Sequence, residues 1–150
     1  MSTTTIAIDA PGWRRHRGLK ARLLEAAEAA RRAAKIPARA GITILLTGDS
    51  ALKRLNRAFR GKDKPTNVLS FPADMPDYRG DIAIAYGVTA AEAKAAGKRF
   101  SDHAAHLVVH GVLHLAGYDH IRAGDAKVME PLEVKILARL GIADPYGAAP

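Results

Sequence analysis

The chain contains no cysteine, which excludes disulfide frameworks, thiolate zinc fingers and cysteine nucleophiles. Its wholly apolar runs are only a few residues long, as in Ile44-Leu45-Leu46, far short of the roughly 20 needed to span a bilayer. The opening Met1-Ser2-Thr3-Thr4-Thr5 lacks a basic region followed by an apolar stretch, so no signal peptide is expected and the cytoplasm is the expected location. No internal repeat or low-complexity linker appears, and residues 1–150 read as one domain. A composition of 48% hydrophobic, 25% charged and 5% aromatic residues excludes collagen, coiled coil and wholesale disorder. A chain of this length buries roughly 68–70% of its unfolded surface, enough to fold without a staple.

What is present in excess is positive charge. The formal net charge is +8, and it is unevenly spread. Residues 1–75 hold 15 basic and 6 acidic side chains, against 8 and 9 in residues 76–150. A basic half beside a neutral half points to a polyanion-binding face, for RNA or DNA before membrane. The plainer alternative is a solvated basic helix that aids solubility.

The pattern of apolar residues and breakers gives a mixed order of elements. Strands are expected over 3–9, 42–47, 68–71 and 81–85, the third closed by Pro72. Helices are expected over 19–35, stopped by Ile36-Pro37, and from the Gly48-Asp49-Ser50 cap to about Phe59. A short Ala-rich helix capped by Thr89 and followed by Gly97 comes next. The helix over 101–116 is apolar nearly all round and should be buried. A last helix is expected over 123–140, ended by Gly141. The expected fold class is α+β, a small mixed β-sheet of about four strands packed with about five helices.

The most informative segment is His110-Gly111-Val112-Leu113-His114-Leu115-Ala116-Gly117-Tyr118-Asp119-His120. His110 and His114 are one turn apart on a helix, so their imidazoles share a face, with Cβ atoms about 5–6 Å apart. Two nitrogens so placed can reach one Zn2+ at about 2.0–2.1 Å. Gly117 suits the left-handed position that ends a helix, turning the chain so that His120 can return as a third ligand. Three histidines with one open position describe a catalytic zinc site, zincin-like and carried on a buried helix. The competing reading of a buried histidine is a hydrogen-bonded core residue, but unpaired imidazoles among aliphatics would be costly. His103, His106 and His16 do not share the spacing and read as structural. The zinc-protease motif H-E-x-x-H-x-x-G-x-x-H has the same histidines and glycine. Its glutamate, the general base of peptide hydrolysis, is here Gly111, which argues against a protease of that kind.

Upstream, Phe59-Arg60-Gly61-Lys62-Asp63-Lys64-Pro65-Thr66-Asn67-Val68-Leu69-Ser70-Phe71-Pro72 reads as a cationic loop, stiffened by Pro65, leading into a strand. Arg60 can hold a phosphate bidentately, while Lys62 and Lys64 add point charges. Alone, the loop is equally an exposed basic turn.

Taken together, the RGKDKPTNVLSFP and HGVLHLAGYDH stretches, about forty residues apart, resemble the YbeY family of bacterial endoribonucleases and rRNA maturation factors. The resemblance extends to Gly80-Asp81-Ile82, to Met129-Glu130 through Glu133, and to Gly141 with Asp144-Pro145-Tyr146. It implies a compact α+β fold with one Zn2+ per chain held by His110, His114 and His120. It further implies cleavage of single-stranded RNA, maturation of the 3′ end of 16S rRNA, and a part in ribosome quality control. The implied partners are the 16S rRNA precursor, the small ribosomal subunit and its assembly factors, with no membrane or DNA partner expected. The family's functionally important arginine maps to Arg60. Asp119, beside His120, is either a carboxylate that orients a ligand imidazole or a plain helix-end residue. Met129 either floors the metal or packs in the core. The alternatives to a nuclease are a non-catalytic rRNA-binding assembly factor with structural zinc, and another zinc hydrolase such as a metalloprotease.

Overall fold

The computed structural model describes residues 3–118 and 123–146. In chain order they form β1 (Thr4–Ile8), a 3-10 turn (Pro11–Arg15), α1 (Leu19–Ala33), β2 (Gly41–Thr47), α2 (Asp49–Arg60), β3 (Val68–Met75), β4 (Tyr78–Ala85), α3 (Tyr86–Ala95), α4 (Phe100–Leu115) and α5 (Ala123–Arg139). The sheet order is β1-β2-β4-β3. β1, β2 and β4 run parallel, and β3 pairs antiparallel with β4 at the edge. The expected mixed sheet of four strands with five α-helices is the architecture observed.

Strand residues alternate between the two faces because successive Cβ atoms point oppositely. Ile42, Ile44 and Leu46 of β2 and Ile82 and Ile84 of β4 face the larger core, completed by Leu23, Ala26, Ala27 and Ala30 of α1 and the apolar side of α4. Ala83 and Ala85 face the other way, joining Leu69 of β3 and Leu52 of α2 in a second, smaller core. The sheet thus carries α1 and α4 on one face and α2 on the other. Met129, Ile136 and Leu137 bring α5 into the larger core.

Local expectations at β3, β4 and Thr89 are corrected. The strand expected to stop at Pro72 runs on to Met75, and its partner starts at Tyr78 rather than Asp81, so β3 and β4 form a hairpin. A proline lacks the amide that a central ladder requires, but an edge strand tolerates it. Opposite Pro72 sits Gly80 at φ 145, where a β-carbon would lie 2.4 Å from the Phe71 carbonyl oxygen. Thr89 is not a cap. α3 starts at Tyr86, and the Thr89 hydroxyl donates back to the Ala85 carbonyl at 2.6 Å from inside the first turn. After β1, Pro11-Gly12 opens the 3-10 turn that buries Trp13, whose Nε1 donates to the Thr47 carbonyl at 2.8 Å.

Candidate active site

α4 is buried as expected beyond its half-buried first turn, except along one face. From Ala104 to Leu115 every residue is buried except His106, His110 and His114, which are half-buried. Their spacing of i, i+4, i+8 keeps all three on one side of the helix. That side forms a wall of a cleft of about 840 Å³. The His110 and His114 rings lie 4.9 Å apart, centroid to centroid, and His106 stands 6.3 Å from His110.

Behind the histidines is Glu133 of α5, fully buried with 0% exposure. His106 Nε2 lies 2.8 Å from Glu133 Oε2, and His110 Nδ1 lies 3.3 Å from the same oxygen. The Tyr146 hydroxyl donates to the carboxylate, 3.0 Å from each of its oxygens. Burial alone would raise the Glu133 carboxyl. The hydrogen bonds from His106 and His110, and the positive charge of those rings when protonated, outweigh it and bring the group down to about 2. The phenol of Tyr146 moves the opposite way, raised by its burial and by the Glu133 charge.

This arrangement sets a tautomer. A carboxylate only accepts, so His110 donates its Nδ1 proton to Glu133, and Nε2 becomes the ring's basic nitrogen. A carboxylate behind a histidine is the usual means of orienting a metal ligand and raising its basicity. Ligand atoms of His106, His110 and Glu133 lie within 4.8 Å of one another, a group that could hold a metal ion. The chemistry of the set, adjacent imidazoles on one helix face backed by a buried carboxylate, fits such an ion.

The end of α2 and the basic loop supply another part of the lining. α2 ends at Arg60, and Gly61 turns the chain at φ 69, with the Lys62 amide donating to the Asn56 carbonyl at 3.3 Å. Asn56 is buried, and its Nδ2 donates to the Lys64 carbonyl at 2.9 Å, fastening the loop to the helix. Arg60 and Lys62 line the same cleft as His110 and His114. Lys64 does not. It lines an adjoining depression of about 340 Å³ that also includes Arg60 and Lys62. The loop cations are exposed.

The structure therefore brings together four of the residues singled out from sequence: His110, His114, Arg60 and Lys62. Asp119 and His120 lie outside the described residues. Met129 is wholly buried in the larger core. Sequence reasoning assigned no part to His106, set aside for lacking the ligand spacing. It quoted Glu133 and Tyr146 within longer stretches without a role for either. The available signal was the four-residue period of 106, 110 and 114 on an otherwise aliphatic helix. No helix among the described residues is long and apolar enough to cross a membrane.

Known proteins share both the sequence and the fold. The family model described as endoribonuclease YbeY matches residues 13–141. The chain is 47% identical over 159 residues to the endoribonuclease YbeY of Rhodopseudomonas palustris strain HaA2, across 95% of this chain and 80% of that one. The corresponding protein of Bradyrhizobium diazoefficiens is 45% identical over 158 residues, across 98% and 86%. A solution structure of a Thermotoga maritima protein, 26% identical, matches with a TM-score of 0.64 over 97% of this chain and 99% of that one.

Proposed function

The chain belongs to the endoribonuclease YbeY family, and from that membership we propose that it is a zinc-dependent endoribonuclease of single-stranded RNA. Its place in the cell is the cytoplasm, its task the maturation of the 3′ end of 16S rRNA on the small ribosomal subunit and the clearance of defective ribosomes. The observation that carries this reading is the shared cleft, lined by imidazoles of α4 together with Arg60 and Lys62.

The ion would be held by His110, His114 and His120, a set of neutral imidazoles that suits zinc. When bound, it supplies Lewis acidity at a phosphate oxygen and lowers the pKa of a coordinated water toward about 7. The chain's own residues do the rest. Arg60 takes two non-bridging phosphate oxygens in its fork and offsets the charge that builds on them in the transition state. Lys62, and beyond it Lys64, neutralise neighbouring phosphates along the strand. Glu133 holds the Nδ1 proton of His110 and fixes its ring plane, and Tyr146 holds Glu133. The clamp of Asn56 on the Lys64 carbonyl fixes the loop that presents Arg60.

The test pairs elemental analysis with cleavage assays on unstructured RNA, duplex RNA and casein. One zinc per chain is expected in the native protein, and less in His114→Ala. Cleavage of unstructured RNA is lost in both His114→Ala and Arg60→Ala while both remain folded. Cleavage that survives in both variants comes from a contaminant and leaves an RNA-binding assembly factor with a structural metal. Zinc-dependent casein turnover assigns the site to another hydrolase.

A further inference from the structure

Phe59 is the most exposed large apolar residue among those described, at 68% of its surface. It precedes Arg60 in the last turn of α2 and lines the same cleft as Arg60, Lys62, His110 and His114. The ring is not loose. Phe71 of β3 backs it in an edge-to-face contact with centroids 5.1 Å apart at 62°, and Phe71 is anchored in turn against the smaller core. Tyr146 also lines the cleft, but its hydroxyl is committed to Glu133. Trp13, Tyr86 and Phe100 pack on one another, 5.2 to 5.4 Å apart. Phe59 pairs a propped ring and the most open apolar surface among the described residues with the guanidinium and ammonium groups of the same cleft.

Leaving a phenyl ring in water forgoes the favourable burial of its apolar surface. As a cover for Phe71 it is inefficient, since about two thirds of it stays open. A ligand that places a flat apolar face on the ring and an anion on the neighbouring cations satisfies both features at once. A nucleotide has that form, a base with two π-faces joined to a phosphate. A polypeptide of matching charge offers acidic side chains without a flat face at each step.

We propose that Phe59 is a stacking platform for one nucleobase of the bound RNA, next to the phosphate held by Arg60. The proposal rests on the reading of the chain as an RNA-binding nuclease and adds a source of strand selectivity. Bases in a duplex are already stacked and paired, and reach the ring only after unstacking. Unpaired bases splay out onto an aromatic side chain at little cost. Phe59 therefore favours single-stranded RNA, while Arg60 and Lys62, which read only phosphate, accept either form.

Equilibrium binding of two length-matched 2′-O-methylated oligomers tests this, one oligoadenosine and one abasic. Phe59→Leu keeps an apolar cover on Phe71 but removes the ring, and Phe59→Tyr keeps the ring. Phe59→Leu is expected to bind oligoadenosine about tenfold more weakly than the native chain. It binds the abasic oligomer equally well, with an unchanged salt dependence. Phe59→Tyr stays close to the native chain on both oligomers. Phe59→Leu also narrows the preference for unstructured over duplex RNA. The platform is overturned if Phe59→Leu binds oligoadenosine as tightly as the native chain, or loses the same factor on both oligomers. The two readings fail differently. If Arg60→Ala weakens both oligomers while Phe59→Leu weakens neither, the nuclease reading stands without the platform. If the native chain binds neither oligomer, both readings fall.

Discussion

Gly111 packs so closely on Ile82 that a β-carbon at position 111 would lie 2.9 Å from Ile82 Cγ2 and 3.0 Å from Cδ1. The position that carries the general base in zinc proteases is turned here toward the sheet. Ile82 is wholly buried and β-branched, so it has little room to yield. Gly111→Glu is expected to place an unpaired carboxylate in the larger core and to cost several kcal/mol, about 3 or more. Denaturant unfolding measures the loss. The variant gains no casein hydrolysis, and a stably folded Gly111→Glu protein would refute this account of position 111.

Glu133→Gln keeps the shape of the side chain and removes the charge to which His106 and His110 donate. Loss of an orienting carboxylate behind a histidine ligand typically costs about 10–100-fold in metal affinity. That drop is expected in competition titrations against a zinc chelator, with His110 and His114 unchanged. Equal affinities in the two proteins would make Glu133 a packing residue only.

Asn56 fastens the basic loop through one side-chain bond to the Lys64 carbonyl. Asn56→Ala removes that bond, at an expected cost of about 0.5–1.5 kcal/mol. The loop that carries Lys62 and Lys64 loosens, so RNA binding weakens several-fold while zinc content is unchanged. Fluorescence anisotropy and elemental analysis on one sample separate the two effects.

The Tyr78 hydroxyl is hydrogen-bonded to Asp81 and, at 2.7 Å, to Thr43. Burial raises the phenol above its ordinary value, and the bond to Asp81 adds to the rise. A proton held more tightly in the folded state stabilises the fold fully below the unfolded pKa of about 10, and that contribution fades as pH rises through the folded value. The stability difference between the native chain and Tyr78→Phe, measured by urea unfolding, should therefore narrow between pH 8 and pH 11. A constant difference over that range would contradict the assignment.

The legible parts of this protein were those specified by neighbours in sequence. α4 announced itself through aliphatic residues on every side but one. The His110–His114 pair needed only spacing and residue chemistry. Pairings between distant segments left no local trace. Pro72 reads as a strand end by its missing amide, and only the edge position of β3 in the finished sheet explains why the strand continues. His106 shares the four-residue period with His110, but its carboxylate partner lies 27 residues downstream on another helix. The loop was ambiguous until the fold placed Arg60 and Lys62 in one cleft with the histidines.

The parts of the cleft are strung out along the chain: Arg60, then His106 to His114, then Glu133, and Tyr146 beyond it. During translation the cations and imidazoles therefore emerge well before the carboxylate and phenol that brace them. Until α5 has docked, His110 has no Glu133 to take its Nδ1 proton, and the histidine face of α4 lacks its brace.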